Sequence, residues 1–225
     1  MAKERPIIFS ADMVNAILAG NKTQTRRVIK PQPDGTWARD ENTGCHKMYP
    51  LDENVAGIPW WNIGGINGLP KCKYGSIGDK LWVRENCKAI ELESGEDVIQ
   101  YMSDMAIKPI DNTQESSDKW IDLHNYSNKR GATVPSIYMP RWASRILLEI
   151  TDIRVERLND ISEIDAIAEG IEKHQTGLWL PCVEKGKAHI DPRLAYRDLW
   201  ERINGDGSWS QNQFVFVIAF RRVYV

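Results

Sequence analysis

The stretch Gly20-Asn21-Lys22-Thr23-Gln24-Thr25-Arg26-Arg27 places an amine, two threonine hydroxyls and two guanidinium groups next to one another. Between Met13 and Pro33 there is no acid, while Lys22, Arg26, Arg27 and Lys30 are all basic. Such a local positive patch can bind a specific anion without coating nucleic acid generally. In an extended chain Lys22 and Thr25 face opposite ways, so they converge only if the segment turns. A solvated basic turn is the competing reading.

A second cluster is acidic. Asp160, Glu163, Asp165, Glu169 and Glu172 surround Ile161 to Ile171, with no base among them. At ~100° per residue, Glu169 falls ~140° from a stripe containing Ile164. It is therefore either exposed or aimed at a neighbouring element. A third cluster is Met139-Pro140-Arg141-Trp142-Ala143-Ser144-Arg145. Interleaved Arg and Trp can stack on a base and hold a phosphate, or Trp142 can cap the core from a barrel rim. Arg84 and Glu85 close a short strand, where they face either a ligand or each other. Cys45, His46 and Cys72 offer three candidate zinc ligands, but the wide spacings of Cys45, Cys72, Cys87 and Cys182 favour free thiols. Dinucleotide, P-loop, HExxH and GxSxG signatures are missing, so no cofactor and no metal is expected.

The elements that carry these clusters can be read from periodicity and caps. Ile7 to Phe9 read as a strand. Ser10 caps a helix whose apolar residues are Met13, Val14, Ile17 and Leu18, and Gly20 stops it. The basic stretch follows directly. Residues 33–75 are rich in Gly and Pro and read as a loop-rich insertion; residues 88–135 read as a second, polar and irregular one. Residues 79–85 alternate as a strand, and residues 146–158 return to strand character. Ser162 and Asp165 resemble a capping box with a shortened acid, opening a helix with the stripe Ile164, Ala168, Ile171. Asp191-Pro192 opens another, with Tyr196, Leu199, Trp200 and Ile203 on its buried face and Asn204-Gly205 at its end. Phe214 to Phe220 reads as a central strand. The order lacks regular strand–helix alternation, which argues against Rossmann and TIM arrangements. The expected class is α+β: one domain over 1–225, a small mixed β-barrel with flanking helices and the two insertions.

The 225 residues suit one moderate domain, and 42% hydrophobic with 27% charged residues is ordinary for a globular protein. A net charge of −2 excludes a generally basic nucleic-acid coat. No apolar run is long enough to span a bilayer, and MAKERPIIFS has no apolar signal core. The expectation is a cytoplasmic protein with no membrane partner and no dinucleotide cofactor.

Four segments, "AILAGNKTQTRR", "GDKLWVRE", "ISEIDAIAEGI" and the terminal "FVFVIAF", together resemble the ASCH family. The GxKxxTxR element is that family's signature. The resemblance covers residues 6–31, 76–87, 136–171 and the C-terminal part, and it is strongest to longer phage- or prophage-encoded members. It implies a PUA-like β-barrel linked to RNA, residing in the host cytoplasm if phage-encoded. One compact branch of the family contains N4-acetylcytidine amidohydrolases, which use a Lys, a Thr and a Glu. Carried over by motif, these are Lys22, Thr25 and Glu169, with Arg27 closing the signature. The resemblance thus implies a hydrolase cleaving an amide on a modified nucleoside or base. Thr25 attacks, Lys22 is the base, Glu169 shuttles the proton to the leaving amine, and Arg27 or a backbone N–H holds the oxyanion. A variant has Glu169 activating water while Thr25 only positions substrate. Arg26, Arg27, Arg84, Glu85, Arg141 and Arg145 are the substrate-binding candidates. The alternative is a non-catalytic RNA- or nucleotide-binding ASCH module, or a phage accessory protein in which the barrel is only a scaffold.

Overall fold

The computed structural model describes residues 2–30, 32, 72–181 and 187–224, together with the main chain of 36–39 and 46–49. The protein is a mixed α+β structure. Its main sheet comprises β1 (Glu4–Ile8), β2 (Gln24–Val28), β5 (Lys80–Arg84), β9 (Leu147–Arg157) and β12 (Phe214–Val223), in the order β1-β5-β9-β12-β2. β1 and β5 run parallel, and the other neighbours are antiparallel. β1 and β2 end the sheet at opposite edges, so among the described residues it does not close into the barrel expected from the sequence. Main-chain pairing also joins β3 (Thr36–Arg39) to β4 (His46–Tyr49), inside the first expected insertion.

β12 is interior, between β9 and β2, and its continuous apolar run has a direct cause. Side chains alternate across a strand. Phe216, Ile218 and Phe220 enter a core with Phe9, Val14, Ile17, Leu81 and Leu148, while Val215 and Val217 enter another with Ala166, Ala195, Leu199 and Trp200. Both faces are covered, so no polar face is left. Helix α1 (Ala11–Leu18) covers the first face, with Ser10 accepting from the Met13 N–H. Helices α3 (Glu163–Ala168) and α4 (Pro192–Asn204) cover the second, beside the short pair β10 (Glu172–Lys173) and β11 (Trp179–Leu180). Asp191 caps α4 by accepting from the Arg193 N–H, and Pro192 sits where its missing N–H costs nothing.

Residues 88–135, expected to be irregular, are ordered. β6 (Cys87–Glu91), β7 (Asp97–Tyr101) and β8 (Ile107–Pro109) form an antiparallel sheet, on which α2 (Gln114–His124) packs. The hydrophilic run Asn112 to Lys119 is the cap and outer face of α2, while Trp120 and Leu123 are buried. The opening of α3 also differs in detail. Ser162 accepts from the Asp165 N–H as expected, but Asp165 takes a hydrogen bond from the Ser162 hydroxyl instead of reaching back to the backbone.

Candidate active site

The chain turns tightly after α1. Gly20 takes φ +80°, a value that disfavours any residue with a Cβ, and the Asn21 and Lys22 N–H groups both donate to Ala16 O. Lys22 then pairs with Glu169 in an isolated antiparallel bridge, and Thr23 N donates to Ala168 O at 2.8 Å. This bridge brings the basic stretch against the end of α3. Glu169 is the residue that ends that helix, and its own N–H remains bonded to Asp165 O and Ala166 O.

Lys22 Nζ donates to Glu169 Oε2 at 2.7 Å and to Glu169 O at 2.8 Å. The Lys22 side chain is 0% exposed and that of Glu169 2%. Arg26, also 0% exposed, donates to Glu169 Oε1 at 3.2 Å and Glu156 Oε2 at 3.0 Å, and stands 3.3 Å from Asp165 Oδ2. Arg154 adds contacts to Glu156 and Asp165. Lys22, Arg26 and Arg154 therefore face Glu156, Asp165 and Glu169, so three cations meet three carboxylates across a cluster that runs from buried to half-buried. Burial by itself would push the Arg26 guanidinium down; the charge of Glu169, then Tyr196, Glu156 and Asp165, raises it above its ordinary value. For Asp165, burial works upward, but hydrogen bonding from Gln24 and the charges of Arg26 and Arg154 bring the carboxyl below its usual range.

A cavity of about 580 Å³ lies beside this cluster, with Thr25, Arg26, Arg27 and Glu169 in its walls. Its lining comes from both sides of edge strand β2: Ser10 and Met13 on one, Tyr196 and Trp200 of α4 on the other. The pairing of β2 with β12 explains this. Thr25 lies opposite Ile218 and Arg27 opposite Phe216, on the α1 face, whereas Arg26 lies opposite Val217, on the α3/α4 face. The Phe9 ring ties the two ends of the stretch together, with Lys22 Nζ 5.7 Å and the Arg27 guanidinium carbon 5.3 Å from its centre. Arg27 donates to Ile8 O at 2.8 Å.

The other four sequence candidates are elsewhere. Arg84 stacks over Trp82 at 4.6 Å and does not pair with Glu85. Glu85 is buried and receives Arg145 Nε at 2.9 Å and the Ser103 hydroxyl at 2.6 Å. Arg145 also pairs with Asp104 and lies 4.0 Å from the Tyr101 ring centre, so this network ties the β6–β8 sheet to the main one. Arg141 pairs with Glu4 of β1 at 2.7 Å. Trp142 packs on the core of the β6–β8 sheet. Arg141 and Arg145 line a separate cavity of about 380 Å³.

Sequence reasoning passed over Gln24, Glu156 and Arg154, the outer partners of the cluster. Gln24 Nε2 donates to both the carbonyl and the carboxylate of Asp165. Strand alternation placing Gln24 and Arg26 on one face was the available signal. Tyr196 and Trp200, expected on the buried face of α4, are core and cavity wall at once. Of the zinc candidates, Cys72 is a buried free thiol, while Cys45 and the His46 side chain lie outside the described residues. Among the described residues no group of three or more potential ligands could hold a metal, and no helix is long and apolar enough to cross a membrane. Comparison of the chain with family profiles, with curated proteins and with solved structures finds no match.

Proposed function

We propose that the protein is an ASCH-type, PUA-like hydrolase that cleaves an amide on a modified nucleoside or base, of the N4-acetylcytidine kind. The observation that carries this reading is the buried Lys22–Glu169 pair, with Glu169 and Thr25 in the wall of one cavity. The cavity volume is in the range of small-molecule sites. Amide hydrolysis needs a nucleophile, a proton acceptor that later returns the proton, and a cation or donor for the oxyanion.

In its ion pair with the Glu169 carboxylate at 2.7 Å, Lys22 is an ammonium with no lone pair to offer, so Glu169 is the proton acceptor and Lys22 holds it in place. The Thr25 hydroxyl adds to the acyl carbon, and its proton passes to Glu169 through water in the cavity that both residues line. A main-chain N–H beside the cavity holds the oxyanion. Collapse breaks the C–N bond, and the amine leaves with the proton from Glu169. Water then hydrolyses the acyl-threonine by the same route. The non-catalytic RNA-binding reading draws less support, because the Arg141 and Arg145 it requires are both paired with carboxylates.

The test is deacylation of N4-acetylcytidine, followed by chromatography. Wild type should release acetate and cytidine. Thr25→Val keeps the strand's shape without the hydroxyl and should lower turnover by about a hundredfold or more, with the unfolding midpoint close to wild type. Wild-type turnover in Thr25→Val removes the threonine nucleophile; no deacylation by wild type removes the reading.

A further inference from the structure

The cavity wall carries more positive charge than the proposed chemistry uses. Among the described residues its one carboxylate, Glu169, is already matched by Lys22 and Arg26. Arg27, Lys30 and Lys73 also line it, and among the described residues none of the three has a carboxylate partner. Arg27 and Lys73 gather at one aromatic ring: the guanidinium carbon stands 5.9 Å and the ammonium nitrogen 5.1 Å from the centre of Tyr74. Like charges collected around one ring without a counter-ion repel, and an anion that enters relieves the repulsion. Arg27 leaves its Nε without an acceptor, although that atom is buried. A buried donor left unpaired in a cavity wall is a place for a ligand oxygen.

Resting on the hydrolase reading above, we infer that the ligand of this cavity is a nucleoside monophosphate, with Arg27, Lys30 and Lys73 forming the subsite for its phosphate. Phosphate fits the chemistry: it offers several acceptor oxygens and about two negative charges to one planar guanidinium and two ammonium groups. A mononucleotide, not a polynucleotide, fits the cavity. The basic residues converge on one hollow of about 580 Å³, and the more distant Arg141 and Arg145 are paired with acids instead of extending a charged track. Glu169 and Thr25 then meet the base while the phosphate lies toward Tyr74.

The experiment measures binding apart from catalysis. Cytidine, cytidine 5′-monophosphate and a short cytidine oligoribonucleotide are titrated calorimetrically into the full chain. Wild type should bind the monophosphate at least about tenfold more tightly than cytidine, and high salt should erase most of the difference. Lys30→Ala/Lys73→Ala, both changes at exposed side chains, should bring the ratio of the two affinities towards one. Equal binding of cytidine and its monophosphate by wild type overturns the inference, as does a ratio that persists in the double variant. Tighter binding of the oligonucleotide than of the monophosphate overturns the choice of a mononucleotide. Deacylation of N4-acetylcytidine is assayed in parallel. Deacylation without a phosphate preference sinks this inference alone; a phosphate preference without deacylation sinks the hydrolase reading and leaves the subsite standing.

Discussion

Glu169 holds the Lys22 ammonium twice, through its carboxylate at 2.7 Å and through its own main-chain carbonyl at 2.8 Å. One residue thus supplies both the counter-charge and a fixed dipole. The amine is positioned by backbone as well as by side chain, and both side chains are almost wholly buried. In such surroundings a lost partner costs more than an intact pair contributes, because the remaining charge stays buried.

Removal of Glu169 leaves Lys22 and part of Arg26 without compensation. Glu169→Ala should therefore lower stability by about 3–5 kcal/mol, and Lys22→Met by less, because Arg26 still pairs with Glu169. Combined as Lys22→Met/Glu169→Ala, the loss should be clearly smaller than the two added together, since each single change leaves a buried charge short of a partner and the other removes that charge. Urea unfolding of the four proteins measures the coupling. Strict additivity would mean that the two groups do not depend on each other. Glu169→Gln, closer in shape, should lower N4-acetylcytidine turnover by about a hundredfold or more through loss of the proton acceptor.

Asp165 gives the acid limb of the stability curve a defined origin. Its carboxyl titrates below the ordinary 3.8 in the folded chain, because Gln24, Arg26, Arg154 and Ser162 outweigh the effect of burial. A carboxyl held below its unfolded value stabilises fully above that value, and the contribution fades as pH falls from about 3.8 through the lower folded value. The urea midpoint should decline over that window, and Asp165→Asn should flatten that part of the decline while lowering the midpoint at neutral pH. A variant that keeps the wild-type slope would assign the acid loss to other carboxyls.

Arg145 should prove structural. It holds the buried Glu85 and the partly exposed Asp104 and covers the Tyr101 ring. Arg145→Met leaves Glu85 with the Ser103 hydroxyl among its described partners, and should cost about 3–5 kcal/mol. Arg145→Met/Glu85→Gln should recover much of that loss. A cost for Arg145→Met within about 0.5 kcal/mol of wild type, typical of an isolated surface change, would show that the network does not hold the two sheets together.

The helix containing Glu169 shows where local reading stopped. The ~140° separation of Ile164 and Glu169 was legible, and the two residues do lie apart: Ile164 is 79% exposed and Glu169 buried. The inward side, however, is the reverse of the one hydrophobicity suggests. α3 has only six residues, too few for an apolar stripe to orient it. Ala166 and the pairing of Glu169 with Lys22 and Arg26 turn it inward instead. The polar run before Trp120 similarly hid α2, since a helix with one narrow buried side has little hydrophobic signal.

By itself the chain determined what depends on neighbours in sequence: the Ser10 and Asp191 caps, the turn at Gly20, the period of α4 and the two-sided apolar strand Phe214 to Phe220. Those rest on backbone geometry and side-chain periodicity acting within a few residues. Only the tertiary structure decided which acid meets which base. Lys22 and Glu169 are 147 residues apart, and Arg145 chose Glu85 across 60. Such pairing follows from which strand edge receives which helix end, because hydrogen bonds and ion pairs form between groups that packing has already brought into reach and shielded from water.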